Sequence, residues 1–377
     1  MKNIRVALIA RSTLHSVPGG DTVQIKQTAF HLSECGVTAD IKLTSDKIYY
    51  EQYDLLHFFN ITRPADILYH VNKSRKKFVI STIFVDYTEY DKKYRKGLSG
   101  LLFRFLSTDA NEYIKTVLRS FMQKDKLISF SYLWKGQRKS IKEILQRASM
   151  ILPNSKSEYK RLFTNFGIAC KHTIIPNGVD PDLFNNDNPI ARDPHLIICV
   201  ARIEGIKNQL NLIKALNNTK YQLLLIGSPA PNQSGYYNQC KKIAAHNVIF
   251  INNIPQQELL QYYQKASIHI LPSRFETTGL SSLEAAAMGC KIIVTDKGDT
   301  KEYFGGLAAY CDPNSPENIL QTIEQISFQP YNDALRKKIY ANYTWHEATA
   351  GTSYAYKEVI NYYEATHWNF GHPWHSQ

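Results

Sequence analysis

The stretch Ser273-Arg274-Phe275-Glu276-Thr277-Thr278-Gly279-Leu280-Ser281-Ser282-Leu283-Glu284-Ala285-Ala286-Ala287-Met288-Gly289 decides the fold. Ahead of it, the mostly apolar residues 268–271 read as a buried strand ending at Pro272. Gly279 marks a tight turn, and Thr278, Ser281 or Ser282 is expected to cap a helix that runs through Leu283 to Met288 and stops at Gly289. Ile292-Ile293-Val294 follows as another apolar run. Strand, loop, helix and strand in this order form the βαβ unit of a parallel sheet.

The chemistry gathers at that loop. A helix opening just past a parallel strand presents free N–H groups and the positive end of its dipole. A glycine there lets a phosphate approach the backbone. Glu276 precedes the helix and Glu284 sits about a turn inside it, so an anion at the helix tip has a carboxylate on either side. Carboxylates do not bind phosphate, but they accept hydrogen bonds from hydroxyls. A diphosphate with sugar hydroxyls at both ends, a nucleotide sugar, fits that description. The plain alternative is an amphipathic helix with a solvated Glu284 and an ordinary loop glutamate, and the spacing alone leaves both open.

Glu276 and Glu284, with seven residues between them within S-R-F-E-T-T-G-L-S-S-L-E-A-A-A-M-G, resemble the E-x7-E signature of the retaining family-four glycosyltransferases. The resemblance implies the GT-B fold: α/β, with two doubly wound Rossmann-like domains facing a cleft. It implies that Glu276 contacts hydroxyls of the transferred sugar, that Glu284 contacts the ribose, and that the backbone around Gly279 and Leu280 meets the phosphates, with Thr278 and Ser281 in the same segment. Thr277-Thr278 stands where the family usually has Pro-Phe or Gly-Phe, a mild departure.

The 377 residues favour two domains, and 44% apolar content supports a full core. The net charge of +12 favours anionic partners: nucleotides, nucleic acid or an acidic membrane. Six scattered cysteines, without C-x-x-C or metal spacing, suggest free thiols in a reducing compartment. The apolar N-terminal run is too short for a signal peptide, and no run approaches the roughly 18 residues a membrane span needs. The expectation is a cytoplasmic protein that can touch the inner face of the membrane.

In the first half, Ile4–Ala10 reads as a buried strand, residues 18–21 as a glycine turn, and 22–35 as a helix ending at Gly36. Strand, glycine loop and helix open a doubly wound domain, although no G-x-G-x-x-G is present. Gly19 and Gly20 match the family's first-domain glycine loop, near donor phosphates and acceptor; an ordinary turn is the alternative. Residues 53–61 and 78–84 read as further strands. Many relatives have a histidine after the second of these, where the acceptor is activated. Here Asp86 is the nearest polar candidate, with Glu89 and Asp91 close behind, or Asp86 simply caps the loop.

Residues 86–147 form a basic, aromatic insert with 14 Lys/Arg against 7 Asp/Glu. Residues 100–106 and 113–122 could be amphipathic helices there. Such helices suit an anionic membrane surface or a lipid-diphosphate acceptor. The mix would also suit RNA, and a solvated basic face is the plainest reading. Residues 150–155 read as a short strand leading into the helix Lys156–Phe166, and P-N-G-V-D-P-D-L-F (176–184) resembles the family's hinge segment. The polar linker 184–194 is the expected domain boundary.

The second half restarts with a strand at 196–200, a loop at 201–208 and a helix to Leu216. Arg202 and Lys207 leave that strand end together, where a fork and a point charge could clamp a diphosphate. They match the family's R-x4-K pattern, and two surface cations are the alternative. Further strands are expected at 221–227 and Val248–Ile251. Ile254 matches a position where relatives stack or hydrogen-bond the base. Residues 298–302 are expected to close the sheet edge, and the segment from Tyr343 to Tyr363 resembles the family's C-terminal helix that returns to the first domain. The His/Trp-rich tail reads as an aromatic patch or a loose terminus.

Together these readings predict an acceptor-side domain over 1–185, a nucleotide-sugar domain over 195–345, and a returning helix with tail over 346–377. The expected protein is a retaining glycosyltransferase that moves a hexose-type sugar from a nucleotide diphosphate to a saccharide or lipid-linked acceptor, in cell-surface polysaccharide or glycolipid synthesis. Its expected catalytic residues are Glu276, Arg202, Lys207 and Asp86. No metal or cofactor is expected, since there is no D-x-D and no ligand cluster, and nucleic acid is not an expected partner. The alternatives are another GT-B enzyme, such as a nucleotide-sugar epimerase or phosphorylase, and a non-catalytic RNA- or membrane-binding protein built on the basic insert.

Overall fold

A computed structural model, describing residues 4–85, 109–110, 112–114, 116, 129–186 and 190–360, builds the chain on two parallel β-sheets. Each sheet belongs to its own compact unit. Of the described residues, the first unit takes 4–84, those of 105–176, and 345–360; the second takes those of 177–344. The stretch 185–194 therefore lies inside the second unit. Residues 177–184 join that unit because Val179 N–H bonds Tyr343 O at 2.8 Å and Phe184 O accepts from the Tyr340 hydroxyl at 2.7 Å.

The first unit runs β1 (Ile4–Ala10), α1 (Gly20–Leu32), β2 (Val37–Leu43), β3 (Leu55–Phe59), α2 (Pro64–Ser74), β4 (Phe78–Ser81), α3 (Phe130–Arg147), β5 (Met150–Leu152) and α4 (Lys156–Phe166). Its strands lie in the order β2-β1-β3-β4-β5. Strand β3, L-L-H-F-F, is buried at every position, as expected where helices cover both faces of a parallel sheet. Ile9, Phe58, Ile80 and Ile151 pack against Leu68 of α2, Ile144 of α3 and Leu162 of α4 in one core.

Two polar side chains are built into that core. Glu158 of α4, fully buried, accepts hydrogen bonds from the Thr82 hydroxyl, from Phe84 N–H and, at 2.7 Å, from Asn154 N–H. These bonds hold the loop after β4 with Ile83 at φ +43°, a conformation a β-branched residue rarely adopts. That is why β4 ends at Ser81 rather than continuing to Phe84. His57 of β3 contacts Ser81 through Nε2 and the Tyr356 hydroxyl, 2.6 Å away, through Nδ1. Tyr356 belongs to α12 (Trp345–Ile360), which packs on the first unit and is further tied there by Lys77 Nζ to Val359 O and by the Lys171–Glu358 ion pair. Of the expected insert helices, 100–106 lies outside the described residues, as do Asp86, Glu89, Asp91 and the tail after 360; of 113–122 only residues 113, 114 and 116 are described, in a helix.

The second unit runs β6 (Asp193–Val200), α5 (Gln209–Leu216), β7 (Gln222–Ile226), α6 (Ser234–Ile243), β8 (Val248–Ile251), α7 (Gln256–Lys265), β9 (Ala266–Leu271), α8 (Leu280–Ala287), β10 (Lys291–Val294), α9 (Thr300–Phe304), β11 (Ala309–Tyr310), α10 (Pro316–Ser327) and α11 (Ala334–Asn342). The strand order is β11-β10-β9-β6-β7-β8. The edge expected at residues 298–302 is instead β11, because 298–302 turn away beside Glu276 and enter α9. No helix of the described residues is long and apolar enough to cross a membrane.

Burial pushes the His57 imidazole down to about 3, against about 6.5 in an unfolded chain. A base held neutral in the fold contributes fully above pH 6.5, and its contribution falls as pH drops toward 3, by up to about 1.4 kcal/mol per pH unit. The His57 ring is therefore expected to show no protonation shift by NMR down to pH 5. His57→Gln is expected to be less stable at pH 7.5 but to lose less stability than wild type between pH 6.5 and 5. Titration of His57 near pH 6.5 would contradict the buried assignment.

Candidate functional site

The path of the chain through the second sheet places the site. From β6 it moves outward through β7 to β8, then returns to β9 on the other side of β6 and continues to β10 and β11. The topology reverses between β6 and β9, so the loops leaving those two strands splay apart at their carboxyl ends. Such a switch point is where open parallel sheets bind ligands. Here the two loops carry Arg202 and Lys207 after β6, and Glu276 and Gly279 after β9.

A backbone hydrogen bond from Arg274 N–H to Ile206 O, 2.8 Å long, ties the loops together. Lys207 Nζ then lies 2.6 Å from Glu276 Oε2, which also accepts from Ser273 Oγ at 3.0 Å. Glu276 is 8% exposed. Its main chain is fixed from below: its N–H bonds Lys297 O, its carbonyl accepts from Asp299 N–H, and it bridges Gly298 in parallel. Gly298 has φ +97°, and a Cβ there would lie 1.9 Å from Glu276 O. Only glycine fits. Gly227 does the same for the other loop: its φ is +144°, and a Cβ would meet Ala201 O, one residue before Arg202, at 2.1 Å.

Helix α8 opens on Gly279 in the left-handed conformation, φ +69°, with no side chain capping it. The expected cap from Thr278, Ser281 or Ser282 is not made. Thr278 is buried, where its hydroxyl accepts from Asn177 Nδ2 and donates to the Tyr303 hydroxyl. Ser282 is buried against His269 Nδ1. The N–H groups of Ser282 and Leu283 bond Gly279 O, so those of Leu280 and Ser281, both half-buried, emerge from the helix end. A Cβ at Gly279 would lie 3.4 Å from Glu276 Cγ. Lys207, Glu276 and the open start of α8 are thus contiguous.

Glu284 follows on the buried side of α8. Its Oε1 accepts from Gln256 Nε2 at 2.9 Å and its Oε2 from the Tyr263 hydroxyl at 3.0 Å. Burial pushes its carboxyl up to about 7, while the two hydrogen bonds pull it back toward the ordinary range. Arg202 points elsewhere: it is largely exposed and bonds Glu204 Oε1 at 3.1 Å. Ile254 lies half-buried in the loop between β8 and α7, two residues before Gln256. Gly19 and Gly20 belong to the first unit, where Gly19 caps α1 and a paired Arg11–Asp21 contact braces the preceding loop. Gly298, Ser273, Gln256 and Tyr263 were not among the expected site residues. The Gln256–Tyr263 spacing of seven, two helical turns, puts the last pair on one helix face but does not say what that face meets.

Two doubly wound parallel-sheet domains of this kind constitute the GT-B architecture. Among solved structures, sucrose-phosphate synthase from Thermosynechococcus elongatus matches with a TM-score of 0.74 at 16% identity, over 96% of this chain and 100% of that one. The sequence model of the family described as glycosyl transferases group 1 matches residues 181–344. That part of the chain is a group 1 glycosyltransferase domain, in agreement with the family-four resemblance. The chain is 25% identical over 223 residues to an uncharacterized glycosyltransferase, MJ1607, of Methanocaldococcus jannaschii, covering 52% of this chain and 54% of that one. It is 24% identical over 310 residues to an N-acetylgalactosamine-N,N'-diacetylbacillosaminyl-diphospho-undecaprenol 4-alpha-N-acetylgalactosaminyltransferase of Campylobacter jejuni, covering 78% of this chain and 82% of that one. It thus spans about half the length of the first relative and four fifths of the second.

Gly298→Ala should place a methyl group against Glu276 O in a backbone conformation that L-residues avoid, at a cost on the order of 3 kcal/mol. Gly306→Ala, with nothing within 4 Å, is the control. Chemical denaturation followed by far-UV circular dichroism measures both. Equal stabilities would mean that the Glu276 loop is not held by this contact.

Proposed function

We propose that this protein is a retaining, metal-independent glycosyltransferase that transfers a hexose-type sugar from a nucleotide diphosphate to an acceptor in cell-surface polysaccharide or glycolipid synthesis. The observation that carries this reading is the Lys207–Glu276 pair at the open start of α8. Lys207 and Ser273 both occupy Glu276 Oε2, so Oε1 is the oxygen offered to a hydroxyl of the transferred sugar. The ammonium spends one hydrogen on Glu276 and keeps two for phosphate. The Leu280 and Ser281 N–H groups give the diphosphate two more donors, and Glu284 receives the ribose. Ile254 would lie by the base.

Departure of the nucleoside diphosphate builds negative charge on the leaving oxygens. Donors already aimed at that point stabilise the transition state more than the ground state. Lys207 and the helix start supply them here, in place of a metal ion's charge. Arg202 would join by exchanging its Glu204 contact for phosphate, at a loss on the order of 1 kcal/mol, since the arginine end of that pair is exposed. The leaving phosphate takes the acceptor's proton on the face it vacates. Gly19 and Gly20 would lie by the donor phosphates, and Asp86 would serve the acceptor side. The likeness to the Campylobacter enzyme, whose name specifies a diphospho-undecaprenol-linked acceptor, supports a lipid-linked saccharide as acceptor.

Thermal-shift measurements with UDP, GDP, ADP and CMP and their sugars test the donor site. A ligand at about 100 times its Kd stabilises by about 2.7 kcal/mol. One nucleotide class should raise the melting temperature of wild type, and Glu284→Ala should lose most of that gain. With the same donor and undecaprenyl-diphosphate-linked saccharides as acceptors, Lys207→Ala is expected to lower acceptor-dependent diphosphate release by about 10²–10³-fold. Release of free nucleotide without an acceptor at the full rate would point to a hydrolase or epimerase instead.

A further inference from the structure

The carboxylate of Glu284 is held by a helix that carries no part of the E-x7-E segment. Helix α7 places Gln256 in its first turn and Tyr263 two turns later, on the same face. Each takes a different oxygen of Glu284: Gln256 Nε2 donates to Oε1 and the Tyr263 hydroxyl to Oε2. The carboxylate cannot rotate without breaking one bond or the other. Tyr263 is itself immobile, fully buried with its ring edge-on to Phe184. A carboxylate has about four acceptor positions, two on each oxygen. The clamp takes one on each, and Glu284 keeps 9% of its surface exposed.

We propose that Gln256 and Tyr263 are positioning residues for donor recognition, clamping Glu284 so that one remaining lone pair on each oxygen meets the 2′- and 3′-hydroxyls of the nucleotide's ribose. This rests on the donor-site reading above. The clamp also governs the charge of Glu284. Tyr263 is the titratable group that bonds Glu284, and the titratable groups near Tyr263 in turn are Cys199 on β6, His269 on β9 and Cys290 ahead of β10. Burial pushes Cys199 to about 12, Cys290 to about 11 and Tyr263 well above 10, and holds His269 at about 3. The Arg192 guanidinium donates to Tyr263 O and Cys290 Sγ. Between pH 5 and 9 Glu284 alone changes charge in this pocket. Protonation removes an acceptor position, so ribose binding strengthens as pH rises through the Glu284 transition. Loss of either clamp donor removes a bond that favours the carboxylate and moves that transition to higher pH.

The test is titration calorimetry on the full chain, between pH 5.5 and 8.5, with whichever of UDP, GDP, ADP or CMP binds wild type most tightly and with its 2′,3′-dideoxy counterpart. Tyr263→Phe and Gln256→Ala are each expected to weaken the ribonucleotide about tenfold at pH 7. Each is expected to shift the pH midpoint of binding upward and to leave dideoxynucleotide affinity within about twofold. Gln256 is only half-buried, so Gln256→Ala decides the matter if Tyr263→Phe fails to fold. Suppose wild type prefers the ribonucleotide and Glu284→Ala abolishes that preference. If both clamp variants then keep the wild-type ratio and pH midpoint, the clamp has no part in recognition and the proposal falls while the donor site stands. If wild type binds none of the nucleotides, the donor-site reading falls and takes the clamp with it.

Discussion

The absence of a side chain at Gly298 is the constraint on which the second unit's site depends. A backbone-to-backbone approach at this position leaves no space for a Cβ, and it fixes the main chain of Glu276 through bonds on both its N–H and its carbonyl. With Glu276 fixed, its carboxylate reaches Lys207 across the reversal in strand order, and the two loops at the switch point become one surface. Gly227 performs the equivalent task beneath the Arg202 loop. Two glycines therefore set the floor from which the charged side chains rise.

Much of this architecture was legible from residue pattern. Buried parallel strands announce themselves as short apolar runs between glycines and polar turns, and Ile4–Ala10, Val248–Ile251 and the helix Lys156–Phe166 fall where the pattern put them. Strand β2, V-T-A-D-I-K-L, escaped because only Val37 in it is buried, so it has no apolar run to show. Strand β4 was read three residues too long because Thr82, Ile83 and Phe84 look like strand; the buried carboxylate of Glu158 bends them away from the sheet. A partner so distant in sequence leaves no local mark.

The site was legible at the level of residue type and less so at the level of contact. Glu276, Lys207 and Gly279 come together because the backbone bond from Arg274 N–H to Ile206 O ties the two loops across the switch point. The helix cap was misjudged because Thr278 and Ser282 are drawn inward to Tyr303 and His269, which leaves Gly279 to open the helix. The two side chains that hold Glu284 were invisible for a different reason. Glutamine and tyrosine seven residues apart are ordinary on an amphipathic helix, and only the tertiary structure shows that both face one carboxylate.

The contact between His57 and Tyr356 spans 299 residues of chain. The first sheet therefore begins with residue 4 and is completed by a helix that follows the whole of the second unit. On a ribosome, which adds roughly 5–20 residues per second, the second unit emerges entire while His57 still awaits its partner. That order of synthesis lets the glycosyltransferase domain fold as a self-sufficient body and makes the first unit the last to close. The half-built first sheet, with its β3 histidine not yet covered, is the species a chaperone would meet, and the closing helix is the step on which the lifetime of that species depends.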